Sequence, residues 1–204
     1  METKVTFISE HLALEGMYNK LSENHGAIIT HPHPLYGGDM SNPVVESLVT
    51  SFNKKRYTTL RFNFRGVGRS EGTYDEGTGE QEDILAAVVF LLDQGITSIY
   101  LVGYSFGAWV LAKIKKLPVE ISGEIFISPP VALLPYEKYL TLPLLKLVIT
   151  GEDDEIAPVE ILENTVADWN PACRFAIVDF ADHFYYGCFK SLEKIVTDYL
   201  SNNF

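Results

Sequence analysis

The chain has 204 residues, of which 47% are hydrophobic and 21% charged, a globular composition that excludes a disordered or fibrous chain. Its 27 acidic and 16 basic side chains leave a net charge of −11, which repels nucleic acid and anionic membranes, so neither is an expected partner. A chain this long buries roughly 70% of its unfolded surface and needs no crosslinks. Two cysteines, Cys173 and Cys188, are too few for a disulfide framework and read as reduced, buried thiols.

The segment Met1 to Thr6 lacks the basic-then-apolar pattern of a signal peptide. The longest apolar run, Ile84 to Leu92, is too short to cross a bilayer. Both point to a cytoplasmic location. Val5–Ile8 and Leu12–Tyr18 read as two short strands joined by a turn, and Ala27–Thr30 as a compact apolar strand. Pro43–Lys55 reads as a helix, with Asn42 as N-cap and Pro43 at the first position, where its missing N–H does no harm. Thr58–Phe64 is a strand rich in β-branched and aromatic residues, and Glu80–Gln94 a helix ended by Gly95. Ser98–Val102 is a short buried strand, followed by a helix over Ser105–Lys116 that Pro118 closes. Glu124–Ser128 and Leu144–Thr150 are strands, Val159–Asp168 a helix, Arg174–Asp179 a strand and Phe189–Leu200 a C-terminal helix.

From Ala27 onward strand and helix alternate, and the strands are continuous apolar runs. That pattern predicts an α/β fold: a mainly parallel sheet with helices on both faces and an antiparallel extension at the N-terminal edge. No repeat, linker or boundary interrupts residues 1–204, which read as one domain. Glycine-rich loops at Tyr36–Asp39, Gly66–Gly79 and Gly103–Gly107 each follow the carboxyl end of a strand, where open α/β sheets put their ligand sites.

The most informative stretch is Gly103-Tyr104-Ser105-Phe106-Gly107, a Gly-x-Ser-x-Gly pattern between an apolar strand and a helix. A nucleophile on a sharp strand-to-helix turn sits in a strained backbone, and side chains two residues to either side would clash. The turn presents the Ser105 hydroxyl above a helix N-terminus, whose free N–H groups suit a developing oxyanion. Serine is a poor nucleophile unless a base takes its proton. In this architecture the acid and then the histidine follow the serine. His183 is the one histidine that does, in a loop after the last predicted strand. Acid candidates lie in Gly151-Glu152-Asp153-Asp154-Glu155, again at a strand's carboxyl end, and the residues alone do not choose between Asp153 and Asp154.

Four segments in this order resemble the α/β-hydrolases over nearly the whole chain: Thr30-His31-Pro32-His33-Pro34-Leu35-Tyr36-Gly37-Gly38, Phe62-Asn63-Phe64-Arg65-Gly66-Val67-Gly68-Arg69-Ser70, the serine pentapeptide, and Gly151 to Pro158. The likeness is greatest to small, lidless bacterial hydrolases of the dienelactone-hydrolase-like and serine-aminopeptidase-like group. The resemblance implies a Ser105, Asp154, His183 triad, since the family's Gly-x-x-Asp with a proline four residues on fits Gly151 and Pro158. It also implies an oxyanion hole from the Phe106 N–H and from the loop after the third strand. There Pro34, which has no N–H, stands where glycine is common, leaving Leu35 or Tyr36 as the second donor. Tyr36, Tyr104 and Phe184 are candidate substrate contacts.

His31, His33 and Asp39 invite a metal reading, which no Glu-x-x-His or cysteine pair supports, so no metal and no organic cofactor is expected. Arg65 and Arg69 either bind an anionic group or fix a glycine turn, and loop arginines more often do the latter. Lys54, Lys55 and Arg56, with Lys113, Lys115 and Lys116, end helices, where cations complement the dipole. Residues 129–143 leave room for a loop but no lid, with Pro129, Val131, Leu133, Leu134 and Tyr136 as an apolar wall. The expected function is a serine hydrolase of esters, thioesters or amides acting on a small or accessible acyl group. A silent binding module, an acyltransferase and a peptidase are the alternatives. Oligomeric state and natural substrate are not encoded in any motif.

Overall fold

The computed structural model describes residues 1–117 and 119–202. Among them β1 (Thr3–Ser9), β2 (Leu12–Asn19), β3 (His25–Thr30), β4 (Thr58–Phe62), β5 (Ser98–Tyr104), β6 (Gly123–Ile127), β7 (Leu145–Gly151) and β8 (Arg174–Val178) form one sheet. The order across it is β1-β2-β4-β3-β5-β6-β7-β8. β1 pairs antiparallel with β2 and β2 with β4, and every later pair is parallel. The expected α/β sheet with an antiparallel N-terminal edge is therefore present.

Five helices cover it: α1 (Pro43–Lys54), α2 (Gly79–Asp93), α3 (Phe106–Lys113), α4 (Val159–Trp169) and α5 (Phe189–Ser201). α1 and α5 bury Val45, Leu48, Phe52, Leu192 and Val196 against one face. α2, α3 and α4 bury Ile84, Val88, Leu111, Leu162 and Trp169 against the other. Strands covered on both faces have no solvated side, and every residue of β4 and β6 is buried, Arg61 and Glu124 among them. α1 begins as its sequence dictates, with Asn42 Oδ1 accepting the Val44 N–H at 2.9 Å and Pro43 in the first turn.

Two boundaries differ from expectation in ways that matter below. β5 runs two residues further, to Tyr104, because Tyr104 still pairs with Ile127 of β6. α3 ends at Lys113 rather than Lys116: Ile114 is extended (φ −72°, ψ 112°) and joins Leu117 and Val119 in packing on the α2–α4 core. The expected closure by Pro118 lies outside the described residues. A 3-10 turn over Pro34–Tyr36, unforeseen in the sequence, follows β3.

The chain leaves β3 through α1 to β4 on one side, then crosses back through α2 to β5 on the other. The loops after β3 and β5 therefore part, and a crevice opens at their carboxyl ends.

Candidate active site

Ser105 stands at the head of this crevice, between β5 and α3, with φ 51° and ψ −114°. A side chain rarely tolerates such a backbone, and here the surroundings enforce it. A Cβ on Gly103 would lie 2.5 Å from the Ala108 backbone, and one on Gly107 would overlap the Thr30 side chain. The pentapeptide's glycines are thus required by contact with α3 and β3. Phe106 opens α3, and its N–H has no acceptor among the described residues, as expected of a helix's first amide.

His183 reaches Ser105 from the loop after β8, with 2.9 Å between its Nε2 and the serine Oγ. Its Nδ1 lies 2.9 Å from both carboxylate oxygens of Asp154. With Nδ1–H donating to the carboxylate, Nε2 is left to accept the serine proton. All three residues are buried. Burial on its own would raise the Asp154 carboxyl. The hydrogen bond and charge of His183 outweigh it, with help from Ser128 and Ala157, and hold the group below its usual value. The Ile156 and Ala157 amides donate to Asp154 Oδ1 at 2.9 and 2.8 Å. Asp153, left open by the residues alone, is exposed and has no side-chain role here; its amide donates to Ala181 O.

Beneath these three residues lie two more, Ser128 and Tyr185. Ser128, at the end of β6 with φ 46°, touches Asp154 and shares a 2.8 Å hydrogen bond with the Tyr185 hydroxyl. Tyr185 is fully buried and belongs to the core under the site. Ser128 directly follows β6, whereas Tyr185 lies in the loop between β8 and α5, and no motif marks either.

The other candidates divide. Tyr36 and Phe184 are exposed and line the hollow beside Ser105. Tyr104 lines it too, but its hydroxyl is spent on the His183 carbonyl at 2.9 Å, so it braces the histidine loop. Leu35 is exposed, and its N–H donates to His33 Nδ1 at 3.2 Å, while the Tyr36 N–H donates to the His33 carbonyl at 3.1 Å. The His33 ring is wedged against Tyr36, Tyr74 and Phe106, with centroids 4.8, 5.2 and 4.8 Å away. Partial burial lowers its pKa and keeps it a neutral acceptor. The hollow measures about 400 Å³. Pro130, Leu133, Leu134 and Ile156 complete its wall, and among the described residues no lysine, arginine or carboxylate lines it.

His31 ties strands together. Its Nδ1 donates to the Pro32 carbonyl at 2.7 Å and its Nε2 accepts the Phe64 N–H at 3.1 Å. Complete burial drives its pKa down to about 4. Both ring nitrogens are used, and no cluster of three or more metal-ligating side chains occurs among the described residues. Arg65 is buried on Asp83, 2.8 Å from Nη2 to Oδ1, and also meets Glu10 at 3.2 Å. It fixes the glycine turn and does not reach the hollow beside Ser105. Arg69 is exposed, with its amide on Glu15 Oε1 at 2.7 Å. Cys173 and Cys188 are free but only half-buried, because each sits at an element's edge. No helix among the described residues is long and apolar enough to cross a membrane.

Known proteins resemble this chain in sequence and fold. The chain is 34% identical over 199 residues to an uncharacterized protein of Rickettsia prowazekii, covering 92% of this chain and 84% of that one. A solved α/β serine hydrolase homologue from Coxiella burnetii superposes with a TM-score of 0.87 at 31% identity, over 97% of each chain. A serine hydrolase without a lid from Xanthomonas campestris gives 0.86 at 26% identity, over 97% of this chain and 92% of its own. Residues 25–188 match the model of the alpha/beta hydrolase family, and with the sheet order and the absence of a lid this places the chain in that family as a hydrolase.

Proposed function

We propose that the protein is a serine hydrolase of carboxylic esters or thioesters with small, uncharged, apolar acyl groups. The observation that carries this is the unbroken chain of hydrogen bonds from Ser105 through His183 to Asp154, opening into an apolar hollow. Ser105 Oγ attacks the carbonyl carbon while its proton passes to His183 Nε2. The imidazolium, steadied by Asp154, then gives that proton to the departing alkoxide or thiolate. Water, deprotonated by His183, attacks the acyl-enzyme and releases the acid. The Phe106 N–H takes the oxyanion from the helix side. The Leu35 N–H takes it from the other, once the oxyanion outcompetes the neutral His33 ring for that amide. Tyr36 and Phe184 flank the acyl group, and Tyr104 acts through His183. No step calls on a metal or an organic cofactor.

A fluorophosphonate probe tests this. The wild type should form one adduct, located by mass on Ser105, absent in Ser105→Ala and slowed at least tenfold in His183→Ala. A folded wild type that does not label overturns the reading. Labelling without turnover of any short-chain ester or thioester favours the silent binding module, which the occupied Leu35 amide would explain.

A further inference from the structure

A second cavity, of about 730 Å³, lies at the amino ends of β6 and β7, the other end of the strands from Ser105. α3 stops at Lys113, Ile114 is extended, and Ile114, Leu117 and Val119 beyond it line this cavity beside the amino end of β6. Ala112, Ile121, Leu140 and Leu142 supply apolar wall. Glu124 also lines it, and is 94% buried, its exposure being 6%. The Glu124 side chain has no hydrogen bond and no ion pair among the described residues. The sheet is irregular at that residue: pairing between β6 and β7 slips by one between Glu124 and Ile125, leaving Lys146 unpaired. Such irregularities re-aim side chains and recur beside functional sites.

The Glu124 side chain is mostly buried, but its carboxylate oxygens open onto the cavity, so a partner for it would enter there. Charged groups surround it without reaching it. Lys115 is drawn off to Glu137 at 3.4 Å, and Lys116, Glu120 and Tyr139 stand at the exposed rim. Lys146 acts on Cys173 of the adjoining segment. Desolvation is the sole influence on the Glu124 carboxyl, which it pushes up to about 7.

We propose that this cavity is a binding site for an organic ammonium ion with a short apolar body, held by the Glu124 carboxylate. The ammonium supplies both the opposite charge and the hydrogen-bond donors that the carboxylate lacks, and its apolar body meets the aliphatic wall. The chain's net charge of −11 favours the approach of cations over anions.

The test is calorimetric titration of the whole protein, with Ser105 blocked by fluorophosphonate, using n-hexylammonium against n-hexanol. Hexylammonium should bind, about tenfold more tightly at pH 8 than at pH 6, as expected when the ionised fraction of a carboxyl of pKa about 7 rises tenfold. Glu124→Gln should lose at least ten-fold in affinity at pH 8 and keep its probe labelling on Ser105. Binding at pH 7 should release protons, seen as a heat that changes with buffer ionisation enthalpy, and this reads out in the wild type alone should the variant not fold. No binding at pH 8, equal binding of hexanol, equal affinity in Glu124→Gln, or no proton release overturns the proposal. Because Ser105 is already blocked, such a failure leaves the hydrolase reading untouched, and absence of labelling leaves this one untouched.

Discussion

Asp154 and Asp153 are neighbours with opposite fates. Asp154 accepts from two backbone amides and from His183, whereas Asp153 faces solvent. Replacing Asp154 with Asn removes the acceptor that holds the His183 tautomer. Turnover should fall about 10³–10⁴-fold in kcat, on the scale known for such acids. Asp153→Asn should stay within about twofold of wild type, and steady-state kinetics on a short-chain ester decides both. Which carboxylate turns inward is set by the amides of Ile156 and Ala157, and adjacent acidic residues carry no sign of it; only the spacing from Gly151 to Pro158 hinted at the answer. Ser105 and His183 were readable because chemistry restricts them to one pattern and one chain order. His33 was not: its ring partners Tyr74 and Phe106 lie far along the chain, and only the fold shows its Nδ1 taking the Leu35 amide.

At the level of elements, the turn around Ser105 depends on how closely α3 approaches β3. Gly107→Ala would drive a methyl into Thr30 and to 3.1 Å from the His31 carbonyl oxygen, both part of a packed strand end. Urea unfolding should show a loss of about 1–3 kcal/mol, the usual cost of overpacking, together with weaker labelling at Ser105. Strands were the more legible elements, since burial on both faces leaves an apolar run with sharp ends. The end of α3 was not legible. Ile114, Lys115 and Lys116 would all continue a helix on local preference, but Ile114, Leu117 and Val119 reach the core from extended chain, and packing overrides propensity. The Pro34–Tyr36 turn was not legible either, because its N-cap is a histidine ring, an uncommon acceptor in that place.

For the whole molecule, two buried groups make stability depend on pH in opposite senses. The Glu124 carboxyl keeps its proton up to about 7 when folded, against an ordinary 4.5. Between those values the folded chain holds more protons than the unfolded one, so stability falls as pH rises through this window and is flat above it. Glu124→Gln should abolish that slope. Relative to the wild type it should gain about 2–3 kcal/mol in unfolding free energy between pH 5 and pH 8, at about 1.4 kcal/mol per pH unit. His31 runs the other way: its pKa is about 4 folded and 6.5 otherwise, so its stabilising effect is complete above pH 6.5 and is lost as pH falls toward 4. Urea titrations of both proteins at half-unit steps measure the difference directly.

The connection from β6 to β7 walls the hollow beside Ser105 with Pro130, Leu133 and Leu134, and among the described residues it forms no lid over it. A hollow with no door has no opening step for turnover to wait on, and equally no means of keeping solvent from a half-finished reaction. An acyl group resting on Ser105 would lie in a hollow that no lid shuts, where water at bulk concentration outnumbers any dissolved alcohol or amine. Added acceptors such as methanol should therefore divert product only in proportion to their share of the solvent, and the fate of the acyl group is settled by exposure more than by recognition.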